Sequence, residues 1–335
     1  MLVRIAANRT LLSPALVTLS TVSQLPIRAH VRIATRASEL ALWQSRHVAA
    51  QIEAAWPGVS TVLLPITTSG DRILDRPLAA IGGKGLFIKE LELALLEDQA
   101  DIAVHSMKDV PWELPTDLHI AVILTREDPR DVLVSKSGGS LIDVPLSAKV
   151  GTSSLRRRSQ LLALRPDLQL SDLRGNVPTR LGRLERGDYD AIVLAAAGLK
   201  RLGLFNETAY ALSAASMLPA VGQGAIGIEC RRNDHAIEAL IKPLHDTLTA
   251  QCVHAERAMN ARLGGSCTVP VAGYAQIDGE HLHLQGLVAA VDGEDMVRQT
   301  ASGPWTDAEH IGDALGLALL AAGADRILRQ LHEQK

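Results

Sequence analysis

One local pattern occurs twice in this 335-residue chain, and it constrains the fold more than any other feature. VRIAT (31–35) reads as a short buried strand. SELALWQSRHVAAQIEAAW follows, with Leu40, Trp43, His47 and Ala50 recurring at helical spacing and Ser38 standing where an N-cap belongs. The second copy is AKVGTSS (148–154), a strand with a hydroxyl-rich turn, running into LRRRSQLLALR. The likeness extends further, because FIKELELALLEDQADIAVHS pairs a helix with a strand whose DIAV is echoed in DYDAIVLAAAGLK (188–200). Strands alternating with helices call for parallel sheets, and the duplication calls for two α/β domains of related design. REDPRDVLV (126–134) supplies a proline-containing crossing between them. AIGIEC (225–230), a strand preceded by LPAVGQG, is predicted to return to the first domain.

After residue 250 the grammar changes to a helix, AQCVHAERAMNARL, a glycine loop, and three strand-like runs separated by two DGE turns. Asp-Gly between apolar runs is a hairpin signal, so a small α+β domain of three antiparallel strands is expected, closed by a final helix from about Asp307.

The three cysteines are not equivalent. Cys230 alternates with Ile226 and Ile228 on a strand, and Cys252 shares a helical stripe with Ala255, Met259 and Leu263, so both read as small buried hydrophobes. Cys267 sits in RLGGSCTVPV, a flexible-backbone loop that a ligand can approach closely; a chemical and a merely structural role are both open on pattern alone. No CxxC pair is present, which argues against a disulfide framework or a zinc site and for a reducing compartment. GQGAIG has dinucleotide-loop spacing but precedes a strand instead of a helix, and IGGKGLF lacks the Ser/Thr of a P-loop. His281 and His283 share an exposed strand face without further ligands nearby, so no metal is expected.

A formal net charge of -3 and an aromatic content of 3% offer neither a basic field nor stacking rings for nucleic acid. No apolar run reaches the ~20 residues of a membrane-spanning helix. The first 29 residues are basic and rich in hydroxyls, and read as a disordered extension or as an organelle transit segment.

Positive charge is concentrated locally. Arg156, Arg157 and Arg158 stand in the opening turn of a helix, where the macrodipole disfavours cations. With the hydroxyls of Thr152, Ser153 and Ser154 and the backbone N–H groups there, they compose an anion site for carboxylate or phosphate. Arg158, Arg183 and Arg186 are expected to be solvated surface. SMKDVP places Lys108 and Asp109 at the carboxyl end of a strand, where open α/β sheets gather ligands. A carboxylate among arginines suits a cation forming on an otherwise anionic substrate.

The motifs IATRxSxLALWQ, GGKGLFxKELE, DIAVHSMKDVP, EDPRD, VGTSSLRR, LRGNVxTRL, AGLKRLG, LPAVGQGAxGIE and AERAMNxRL follow in order from about Val31 onward. In this series the chain resembles the porphobilinogen deaminase (hydroxymethylbilane synthase) family. The resemblance implies two periplasmic-binding-protein-like (type II) α/β domains, the first discontinuous, and a small C-terminal α+β domain with a three-stranded antiparallel sheet. The limits expected are 30–124 with 220–243 for the first domain, 125–219 for the second and 244–335 for the third.

It implies a transferase that adds four porphobilinogens head to tail to a dipyrromethane primer, each losing ammonia, and releases hydroxymethylbilane. Cys267 would carry the primer covalently, and Asp109 would be the catalytic carboxylate, bonding pyrrole N–H groups and stabilising the azafulvene cation. Arg36, Ser38, Lys108, Thr152, Ser154, Arg156, Arg157, Arg174 and Arg180 would hold cofactor and substrate carboxylates. Gln44, Ser106, Ser153 and Arg201 would lie close by, and Lys84 and Phe87 in a covering loop. A monomer is implied, in the cytoplasm, or in an organelle if the extension is a transit segment. The chain departs from the family pattern at Glu39, often proline, at Ala80, often lysine, and at Ser266, often glycine. A non-catalytic binder of a carboxylated ligand, and a cysteine hydrolase, remain the competing classes; no motif places a histidine beside Cys267 for the latter.

Overall fold

The computed structural model describes residues 28–72, 85–265 and 269–333. Lys84, Ala80, Ser266, Cys267 and residues 1–27 of the extension lie outside them.

The first copy of the repeated pattern is β1 (His30–Arg36), α1 (Glu39–Ala55) and β2 (Ser60–Ile66). Ser38 caps α1, accepting from Ala41 N at 3.3 Å. Glu39 is the first helical residue, where its charge complements the macrodipole. The chain continues through α2 (Ser69–Arg72), α3 (Lys89–Leu96), β3 (Ile102–Ser106) and β4 (Leu118–Ile123). It then crosses to β5 (Asp131–Ser135), β6 (Lys149–Gly151), α4 (Leu155–Leu164), β7 (Gln169–Ser171), α5 (Val177–Glu185), β8 (Ala191–Ala195), α6 (Ala196–Arg201) and β9 (Ala209–Ala211). A second crossing leads to β10 (Ile226–Arg231), α7 (His235–Ile241) and α8 (Thr247–Arg262).

The two sheets, ordered β2-β1-β3-β10-β4 and β7-β6-β8-β5-β9, have the same design. In each, the fourth strand runs antiparallel to its neighbours, and that strand, β10 or β5, is the one entered from a crossing. The strand following the second crossing therefore does return to the first sheet. Apolar clusters cover both faces of each sheet, as parallel strands flanked by helices require.

The crossings are bonded to each other: Glu127 N donates to Gly224 O at 3.1 Å. Gly224 has φ +90°, and a Cβ there would come within 2.3 Å of Glu127 O, so the GQG run is a close-approach turn. The third unit is locked onto the same place. Fully buried Glu256 of α8 accepts from Arg126 Nη1 at 2.6 Å on the first crossing, from Gly222 N at 2.7 Å on the second, and from Ala275 N at 2.8 Å. Ala275 lies on β11 (Val271–Asp278), which forms an antiparallel sheet with β12 (His281–Ala289) and β13 (Met296–Pro304). Met259, Leu284 and Leu315 centre its core. The expected final helix is two, α9 (Ala308–Leu319) and α10 (Asp325–Glu333), because Gly323 takes φ +106° between them. No helix among the described residues is long and apolar enough to cross a membrane.

Candidate active site

The matching sheet designs point the carboxyl ends of parallel strands from both sheets at one cleft. Segments after β1, β3, β6 and β7, together with the end of β8, line a cavity of about 530 Å³, within the ~300–1,000 Å³ typical of small-molecule sites. Its wall also includes the start of α1 at Ser38, of α5 at Asn176 and of α6 at Ala197. Asn176 caps α5 by accepting from Thr179 N at 2.9 Å. The positive ends of these helices therefore contribute to an anion-attracting field.

Six basic side chains, Arg36, Lys108, Arg157, Arg174, Arg180 and Arg201, line the cavity against two carboxylates, Asp71 and Asp109. Arg36 is paired with Asp71, and its guanidinium lies over the Phe87 ring at 4.3 Å from the centroid. Arg180 and Arg201 have no carboxylate within salt-bridge reach among the described residues; each donates to a backbone carbonyl, of Gly175 and Gly224 respectively. Burial, reinforced by Arg157 and Arg174 and opposed by Asp109, pushes the Arg180 guanidinium down to about 10. Burial likewise brings Arg201 to about 10 against the opposing pull of Glu127. Both remain cationic at neutral pH, and their strain is relieved by an incoming anion.

Asp109 ends a single 3₁₀ turn (Met107–Asp109) at the carboxyl end of β3 and stands half-buried on the cavity wall. Among the described residues no basic group lies within salt-bridge distance of it, so its carboxylate is available to a ligand. Lys108 beside it is pushed down to about 8, by burial first, with Asp109 opposing and Arg157 reinforcing the shift. Beneath this turn, buried Gln44 of α1 donates to Ser106 Oγ at 2.8 Å.

The GTSS-LRRR segment divides its labour. Ser153 and Arg157 reach the cavity wall, whereas Thr152, Ser154 and Arg156 do not. Thr152 is buried and accepts from Ser154 N at 3.2 Å, and Ser154 caps α4 through Arg157 N. Arg156 turns inward to Asp131 Oδ2 at 2.6 Å and Leu218 O at 2.8 Å. Arg157 also meets Asp131, at 2.8 Å. Arg158 is half-buried and lies away from the cavity.

Asp131 is the residue that sequence reasoning missed. It is fully buried at the start of β5 and accepts from Arg156, Arg157 and Gln223. Burial alone would raise its carboxyl, but Arg156 and Arg157 hold it well below the usual carboxylate range. The signal available was a charged residue heading the apolar strand DVLV directly after a crossing. Asp71, which engages Arg36, carried no comparable signal.

Two family models match the chain. The family model described as "Porphobilinogen deaminase, dipyromethane cofactor binding domain" matches residues 31–239, and "Porphobilinogen deaminase, C-terminal domain" matches residues 250–321. Among solved structures, the chain is similar to the BvgS periplasmic VFT2 domain of Bordetella pertussis (14% identity, 64% of this chain and 86% of that one, TM-score 0.39). It is also similar to the periplasmic aliphatic sulphonate binding protein SsuA of Escherichia coli (15% identity, 70% of each chain, TM-score 0.38). From the two family matches, which together span both α/β sheets and most of the third unit, the chain belongs to the porphobilinogen deaminase family of hydroxymethylbilane synthases, transferases of tetrapyrrole biosynthesis.

Proposed function

We propose that Asp109 is the catalytic carboxylate of this chain, that the cations around it hold the carboxylates of porphobilinogen and of the dipyrromethane, and that Cys267 is the attachment point. The observation that carries this reading is the Asp109 carboxylate, which among the described residues has no basic group within salt-bridge distance, in a cavity whose lining is dominated by positive charge. Each pyrrole ring bears an acetate and a propionate. Among the described residues the lining carries more basic side chains than carboxylates, which suits the several carboxylates of a two-ring group, and the residues present fit it. When bound, the dipyrromethane supplies the free pyrrole α-carbon from which chain growth starts.

Arg157, Arg174, Arg180 and Lys108 orient anionic side groups and leave Asp109 facing the ring nitrogens. Its carboxylate accepts pyrrole N–H bonds. As ammonia leaves the aminomethyl group of porphobilinogen, the positive charge developing on that ring is stabilised by the same carboxylate. Asp109 is also suited to holding the proton released when a new carbon–carbon bond restores the ring.

Cys230 and Cys252 are poor attachment points. Burial, reinforced by nearby carboxylates, pushes their thiols up to about 12 and about 11. The loop of Cys267 follows α8, which is tied to the segment after Asp109 by Arg257 donating to Val110 O at 3.0 Å and Pro111 O at 2.8 Å. The expected intact mass of the purified protein exceeds that of its polypeptide by two pyrrole units, and Cys267→Ser lacks the excess. A parent that stays unmodified after incubation with porphobilinogen would leave only a binder of carboxylates.

We assign the domain limits 30–124 with 220–243, 125–219 and 244–335, and a monomer as the working unit. The Lys108 ammonium is charged below about pH 8 and neutral above it, so kcat/KM is expected to fall as pH rises through that value. Lys108→Arg, which stays charged, should move this alkaline limb upward; an unmoved limb would assign it to another group.

A further inference from the structure

At the far end of the first sheet three side chains with metal-binding chemistry converge from separate elements. His119 on β4 and Cys230 on β10 are directly paired across the two strands. His119 Nε2 lies 3.4 Å from Cys230 Sγ and 3.1 Å from Glu238 Oε1 on α7, and the three ligand atoms all lie within 4.8 Å of one another. Ligands bound to zinc at ~2.0–2.3 Å in tetrahedral geometry stand about 3.3–3.7 Å apart, and both separations from His119 lie near that range. The other oxygen of Glu238 is bonded to His235 Nδ1 at 3.1 Å, which fixes the carboxylate's direction as partners of metal ligands commonly do. Sequence spacing gives no hint of this cluster, since His119 and Cys230 are 111 residues apart.

We propose that His119, Cys230 and Glu238 form a binding site for one zinc-type divalent ion, with water in the fourth position. One thiolate, one imidazole and one carboxylate are a donor set that zinc accepts and that magnesium or calcium does not favour. His119 and Glu238 are partly exposed, which gives an ion an entry path, while Cys230 is fully buried. On binding, the Cys230 thiol passes its proton to solvent as Sγ takes the metal.

The site is structural. β10 runs antiparallel to β3, with Ile226 opposite Ser106 and Cys230 opposite Ile102, so the cluster lies at the end of the sheet away from Asp109. An ion there would staple β4 to β10, the strand that returns from the second crossing, and to the helix after it.

The test uses holoenzyme cleared of adventitious metal, then titrated with Zn²⁺ against a chromophoric chelator and with Co²⁺ as a spectroscopic probe. One ion per chain is expected, with a thiolate-to-cobalt charge-transfer band and a higher melting temperature in zinc. Cys230→Ala should lose the band. Glu238→Gln, on the partly exposed helix face, should keep the band and bind zinc at least about tenfold more weakly. Turnover should be unchanged in both. Failure of the parent to hold zinc, a band that survives in Cys230→Ala, or equal affinity in Glu238→Gln and the parent would each overturn the proposal.

Discussion

Asp109→Asn is expected to lower the rate of ammonia release about 10²–10⁴-fold while leaving the denaturation midpoint nearly where it was. The two halves of this expectation have separate physical causes. Asparagine keeps the shape of the side chain but cannot offset positive charge, and positive charge on the reacting ring is greater in the transition state than in bound porphobilinogen. The loss therefore falls on kcat, whereas KM, set by substrate carboxylates against Arg157, Arg174 and Arg180, changes little or improves. Stability is spared because the Asp109 carboxylate makes no ion pair within salt-bridge distance among the described residues, and it faces the cavity rather than the core. Replacing such a group is usually worth less than about 0.5 kcal/mol. Single-turnover ammonia release and urea unfolding check the two halves. Parent-like turnover in this variant would remove Asp109 from the chemistry and return the cleft to a binding role.

Most of the architecture was legible in the sequence because it rests on local signals that repeat. Ser38 caps its helix where a hydroxyl before an apolar periodicity predicts a cap. The stripe of Cys252, Ala255, Met259 and Leu263 packs in the third core as its spacing predicts. What pattern could not supply was the direction in which side chains of one run turn. Arg156 and Arg157 are consecutive, yet one is held inward by Asp131 and Leu218 O, while the other shares Asp131 and still reaches the cleft. That division is decided by a partner 25 residues upstream of Arg156 across a sheet, and periodicity within a helix carries no information about it. The same holds for His119 and Cys230, which meet only because β10 is inserted beside β4 after the second crossing.

Asp131 is predicted to behave as the opposite of Asp109, and the contrast separates scaffold from chemistry. Two buried guanidiniums and the Gln223 amide converge on it, so Asp131→Ala leaves buried positive charges facing one another with no counter-ion. Removing one partner of a buried ion pair costs about 3–5 kcal/mol, which for most domains is a large share of total stability. The expected result is a large drop in melting temperature, accompanied by weaker binding of porphobilinogen as Arg157 loses the contact that aims it. Asp131→Asn should recover part of the stability, because its amide oxygen can still accept from the guanidiniums, but little of the charge compensation. Arg158→Ala, on a half-buried side chain outside the cavity, is the matched control and should change neither quantity. The decisive comparison is the order of the two aspartates in each measurement. Asp131→Ala should lose more in unfolding free energy, and Asp109→Asn more in kcat. If Asp131→Ala instead kept parent stability, another group would have to neutralise the two arginines, and Asp131 could not be what aims Arg157 into the cleft.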